Sequence, residues 1–127
     1  MKLKLNFLLL IAVISFSLVA CKKDHDEIKL VTLDVTLARG TNYQLNLSQY
    51  GDADDVASIV SQATDFTTSE IVNDPATSWY VYKYTAASTP KVPAISSDKV
   101  VLKVSESSGG GHCGSKETDI TINFTLQ

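Results

Sequence analysis

Four groups of residues in this chain are of types that do chemistry, and each points to a different kind. Cys21 closes an apolar run near the N-terminus. Asp52, Asp54 and Asp55 bring three carboxylates close together, the beginning of a site for Ca²⁺, which takes about 6–8 oxygen ligands. The EF-hand spacing is absent, and a solvated acidic loop is the plainer reading. His112 and Cys113 lie side by side among glycines and offer the soft nitrogen and sulfur donors that suit Zn²⁺ or copper. A zinc site takes about three or four protein ligands, however, and the only other histidine is His25. A nucleophilic Cys113 needs a base positioned beside it, and a glycine-rich loop positions poorly. Cys113 is therefore expected to be a free thiol, open to an intermolecular disulfide. Tyr80, Tyr82 and Tyr84 alternate along one stretch and can form a binding face for a glycan or a partner protein. No Ser-His-Asp order, glycine-rich phosphate loop or paired-carboxylate cleft can be traced, so the chain is not expected to be an enzyme.

Cys21 is the most specific of these residues because of what precedes it. Lys2 and Lys4 form a short basic start, and Leu5 to Ala20 is apolar apart from Asn6, Ser15 and Ser17. That length suits a signal-peptide core and falls short of the ~20 residues that span a bilayer. Leu18-Val19-Ala20-Cys21 resembles the lipobox of bacterial lipoproteins. The resemblance implies cleavage before Cys21, a diacylglycerol on its thiol and an acylated new amino group. One acyl chain holds a protein to a membrane only marginally, whereas two or three hold it stably. The expected partners are thus the membrane, through lipid on Cys21, and an envelope protein or glycan. Residues 1–20 are read as the signal peptide and 21–29 as the lipidated cysteine with a charged tether. Within that tether Lys23-Asp24 and Asp26-Glu27 resemble the pattern by which some Gram-negative groups route lipoproteins outward, though His25 interrupts the acids. The expected location is the cell envelope, most simply the outer membrane, on either its periplasmic or its outer surface.

Cleavage leaves 107 of the 127 residues, enough for one domain. The precursor carries 11 basic and 14 acidic side chains. Lys2 and Lys4 leave with the signal, giving nine against fourteen and a net charge of −5. That balance argues against nucleic acid, which calls for a basic face. With Cys21 lipidated, no disulfide framework is expected.

The positioning elements read as strands. Val31, Leu33, Val35 and Leu37 alternate with Thr32, Asp34 and Thr36, and Tyr43, Leu45 and Leu47 with Gln44 and Asn46. Val56, Ile59, Val60 and Ala63 also fit a helical face, but an acidic loop followed by a strand through Ile59 is preferred. Trp79 to Thr85 is a strand with Trp79 and Val81 expected inward and the three tyrosines outward. Pro90 and Pro93 break the next segment. Val100, Leu102 and Val104, then Ile120, Ile122, Phe124 and Leu126, mark two closing strands around a glycine- and serine-rich loop. Short strands about ten residues apart, without a long helix, predict an all-β antiparallel sandwich of about seven strands over residues 30–127.

Three segments carry a second resemblance: Tyr82-Lys83-Tyr84-Thr85, Ser97-Asp98-Lys99-Val100-Val101-Leu102-Lys103-Val104-Ser105 and Thr118-Asp119-Ile120-Thr121-Ile122-Asn123-Phe124. Together they resemble the second half of bacterial cadherin-like and Ig-like repeats, and the Asp52-Ala53-Asp54-Asp55 loop is similar to the acidic loop of the first half. The resemblance implies an Ig-like sandwich with an adhesive or structural role, and calcium at the acidic loop. Such repeats usually occur in tandem, and this chain holds one copy.

Overall fold

The computed structural model describes residues 27–91, 96–107 and 116–127. Cys21, His112 and Cys113 lie outside the described residues. The alternating segments form seven strands: β1 (Glu27–Leu37), β2 (Asn42–Asn46), β3 (Val56–Ser61), β4 (Phe66–Asn73), β5 (Tyr80–Ala86), β6 (Ser97–Ser105) and β7 (Lys116–Leu126). A 3-10 turn, Leu47–Tyr50, follows β2. The ambiguous 52–63 stretch is a loop and a strand, because Ala57 and Ile59 point inward while Val56 and Ser58 point out.

The strands divide into a four-stranded sheet, β1-β7-β6-β3, and a three-stranded sheet, β2-β5-β4. Both contribute to one core, in which Leu45, Tyr82, Tyr84 and Ala86 meet Val100, Leu102, Ile120, Ile122 and Phe124. The ring of Tyr84 stacks on Phe124 with centroids 4.0 Å apart, and Tyr43 meets Phe124 edge-on at 5.5 Å. These ring pairs join the two sheets, since Tyr43 and Tyr84 belong to one and Phe124 to the other.

Three expectations are corrected here. The sheets are not wholly antiparallel: β1 runs parallel to β7 along its entire length, from Glu27 opposite Lys116 to Leu37 opposite Leu126. The chain needs a long crossover to bring two strands parallel, and the rest of the domain serves as that crossover. The first strand also begins before the expected domain boundary at residue 30. Pairing with β7 continues back to Glu27, so residues 27–29 belong to the strand.

The third correction concerns the aromatic strand. Tyr82 and Tyr84 are fully buried and Tyr80 packs half-buried against the core, so the tyrosine face is the inner one. Lys83 explains the parity. It shares a face with Val81, and its register neighbours are Gln44 and Glu70 on the flanking strands. A lysine needs water, so its face must be the outer one. The tyrosine hydroxyls in turn find partners inside: Tyr82 with Ser69 at 2.8 Å, and Tyr84 donating to Asp98 at 3.0 Å.

Burial raises the Tyr82 hydroxyl to about 12, and burial together with the Asp98 carboxylate raises Tyr84 further. Because both folded-state values are raised, the stability they contribute is fully present below pH 10 and is lost as pH rises beyond it. Each pH unit above 10 should remove about 1.4 kcal/mol per withheld tyrosine. An alkaline titration followed at 295 nm is expected to leave Tyr82 and Tyr84 protonated until the fold gives way. Smooth ionisation of all five tyrosines near pH 10, with tertiary structure intact, would contradict this burial.

Candidate functional site

The described residues concentrate their polar chemistry where the chain crosses from β3 to β4. That crossing is Gln62-Ala63-Thr64-Asp65, and it links the four-stranded sheet to the three-stranded one. A crossing loop leaves backbone donors without ladder partners, so side chains must satisfy them. Asp98 does most of this. It sits at the start of β6 in the inward register of Val100, Leu102 and Val104 and is almost completely buried.

Asp98 accepts from five donors. Oδ1 takes the Thr64 amide at 2.8 Å, the Thr64 hydroxyl at 3.1 Å and its neighbour Lys99 amide at 2.9 Å. Oδ2 takes the Asp65 amide at 2.9 Å and the Tyr84 hydroxyl at 3.0 Å. A carboxylate has about four lone-pair sites, so this one is saturated. It is therefore spoken for as a clasp on the crossing loop.

Asp65 is buried beside it and holds a second set of partners. Arg39 donates through Nη1 to its Oδ2 at 2.7 Å, and the Lys91 amide donates to Oδ1 at 2.9 Å. The same guanidinium nitrogen reaches the Ala87 carbonyl at 3.2 Å, while the Ala87 amide donates to the Asp65 carbonyl at 3.1 Å. The Lys91 amide, then Arg39, hold the Asp65 carboxyl below its ordinary value against the opposing effect of burial. Gln62 completes the crossing. Its amide donates to the Ser69 carbonyl at 3.1 Å and accepts from the Ala63 amide at 3.0 Å.

Beside this clasp an open groove of about 470 Å³ lies against the crossing loop. Its walls include Gln62, Thr64, Ser97, Lys99, Asn123 and Thr125. These are hydroxyls, amides and one ammonium, which can hydrogen-bond a polar surface. Among the groove's lining residues no nucleophile is paired with a free base.

The acidic loop is a turn with two exposed carboxylates. Among the described residues no three His, Cys, Asp or Glu side chains gather as metal ligands. Asp52, Asp54 and Asp55 form a turn in which the Asp55 amide donates to the Asp52 carbonyl at 3.1 Å. The Asp55 carboxylate folds back to accept the Asp52 amide at 2.7 Å, while Asp52 and Asp54 stay exposed. Gly51 permits this: a Cβ there would stand 2.5 Å from Asp55 Oδ2 and 2.6 Å from a Val104 methyl. One carboxylate closes the turn, so the three do not converge.

Sequence reasoning named neither Asp98 nor Asp65 as special. The first had a signal, since it falls on the apolar parity of β6. The second had none, because its burial depends on Arg39 and Lys91, each 26 residues away.

No family model matches the chain, and no curated protein matches it. Among solved structures it is similar to the crystal structure of a cysteine protease inhibitor from Entamoeba histolytica. That likeness has 13% identity and a TM-score of 0.33, and covers 75% of this chain and 94% of the other. At that score the likeness carries no functional argument.

Proposed function

We propose that this chain is a lipid-anchored envelope lipoprotein whose β domain is a non-enzymatic interaction or structural module. The observation that carries the reading is Leu18-Val19-Ala20-Cys21 followed within six residues by the first strand at Glu27. A domain so closely tethered works at the membrane surface. The outer membrane is its proposed location, after the resemblance of the Lys23–Glu27 stretch to outward-sorting signals.

The proposed architecture is an Ig-like sandwich. Its support is the strand order, with the first strand joining the last, the last two forming a hairpin, and the middle strands crossing between sheets. The buried carboxylates favour a structural module as well. Asp65 and Asp98 spend their lone pairs on Arg39, Tyr84 and the crossing loop, which is how a fold is held together rather than how a substrate is turned over. The polar groove beside them is then the surface on which an envelope partner docks.

The anchor is tested by Cys21→Ala. The wild-type chain is expected in the membrane fraction with palmitate incorporated, and the variant in the soluble fraction without it. A variant that stays with the membrane and still takes up palmitate sinks the reading.

A further inference from the structure

We propose that one end of the outer face of the four-stranded sheet, carrying Ile28, Leu30 and Val56, rests on the lipid surface to which Cys21 tethers the domain. The inference rests on the lipid anchor and adds to it an orientation.

Among the described residues four large apolar side chains are exposed: Ile28 at 57%, Leu30 at 78%, Val56 at 46% and Val60 at 58%. All four belong to β1 and β3, the two edges of the same sheet. Strand register places three of them at one end. Ile28 lies opposite Glu117, Glu117 opposite Ser105, and Ser105 opposite Val56, so Ile28 and Val56 close the same cross-strand row. Leu30 opens the next row, through Asp119 and Lys103 to Ser58. Strands about 4.8 Å apart put the two edges of a row ~14 Å from each other.

What covers this end follows from the chain length leading to it. Ile28 follows Cys21 by seven positions, a reach of at most ~25 Å even when fully extended. With acyl chains on Cys21, the start of β1 cannot leave the neighbourhood of the bilayer. The rest of the outer face cannot compete, because Thr36, Thr125 and Ser97 close it at the far end.

Charge does not oppose the contact. Between the apolar edges Lys103 pairs with Glu117, and Asp119 lies opposite Lys103 in the next row, while Glu27 and Lys116 pair across β1 and β7 on the other parity. A nearly balanced set of this kind suits a zwitterionic headgroup layer. Apolar side chains at its edges can then enter the interface, where buried apolar area sets the strength of binding. The long, unpaired edge of β1 is also a liability if left in water, and a lipid surface shields it.

The test uses the full-length chain, processed in a host that lipidates it and reconstituted in phosphatidylcholine–phosphatidylethanolamine vesicles. One lipid carries a diazirine in its acyl chain, and adducts are mapped by mass spectrometry after photolysis. Adducts at Glu27–Val31 are expected to exceed those at Ser97–Lys99 by about fivefold or more, since only the first segment reaches the interface. Leu30→Asp and Ile28→Ser should each lower them severalfold without changing the fold seen by circular dichroism. Adducts spread evenly over the domain overturn the proposal. The mass of the Cys21 peptide separates the two readings. Acylated Cys21 without adducts at Ile28 and Leu30 overturns the docking alone, and unmodified Cys21 overturns the anchor and the docking together. A patch that lipid does not label in vesicles, yet is shielded in intact envelopes, belongs to a protein partner and also overturns lipid docking.

Discussion

Phe124→Ala is expected to lower the unfolding free energy by about 3–5 kcal/mol, the range for deleting a buried aromatic ring. Phe124 is 1% exposed on β7. Its ring is the surface on which the second sheet lands, through the stacked Tyr84 and the edge-on Tyr43. Aromatic pairs add about 0.5–1.5 kcal/mol each beyond the area they bury, so the loss reaches past the cavity itself. A domain of this size has a total stability of roughly 5–15 kcal/mol, and the variant would sit near the edge of folding. Urea denaturation followed by circular dichroism measures the difference. Leu30→Ala is the companion control: that side chain is exposed, and its replacement should shift stability by no more than about 0.5 kcal/mol. Equal, small effects at both positions would mean that the two sheets do not meet where the rings place them.

Asp98→Ala should cost about as much by a different route, and the route can be tested separately. The substitution removes the acceptor for the Thr64 and Asp65 amides and for the Tyr84 hydroxyl, all in the same buried corner. Each buried donor left without a partner costs about 1–3 kcal/mol, so a loss of about 3–5 kcal/mol is expected. Tyr84→Phe removes one of those donors. In the double variant the Tyr84 hydroxyl is no longer orphaned, and the combined loss should fall short of the sum by about 1 kcal/mol or more. Strict additivity would show that the hydrogen bond between the two is not formed. Asp98→Asn is the milder change, keeping one accepting oxygen, and should lie between wild type and Asp98→Ala.

Both predictions concern residues that the sequence treats unequally. Phe124 stands in a clean alternation with Ile120, Ile122 and Leu126, and its burial is legible at sight. Asp98 stands in an equally clean alternation with Val100, Leu102 and Val104, but a charge in that position reads as turn chemistry until the crossing loop is seen to need it. Tyr80, Tyr82 and Tyr84 are the instructive failure. Their period of two is plain, yet either face could have been the inner one on the aromatic content alone. Lys83 carried the answer, because a lysine between two flanking strands must face water. The acidic loop shows a different dependence on geometry. Three carboxylates close in sequence converge on a cation only if the turn aims them together, and here Asp55 is spent on the Asp52 amide.

The amino-acid sequence by itself determined the periods, the places where strands break and the resemblance of Leu18-Val19-Ala20-Cys21 to a lipobox. Those depend on side-chain alternation, on glycine and proline, and on a short contiguous signal, all of which are local. Only the tertiary structure decided that β1 runs parallel to β7, that the tyrosine face is the inner one, and that Asp65 and Asp98 hold the crossing between the sheets. These depend on partners far apart in the chain, such as Asp98 with Tyr84 and Asp65 with Arg39. A buried charge is tolerated only where such distant donors converge, and that convergence is a property of the packed fold. The same holds at Cys21. The residues around it resemble a lipobox, but strand register alone sets Ile28, Leu30 and Val56 at one end of the four-stranded sheet.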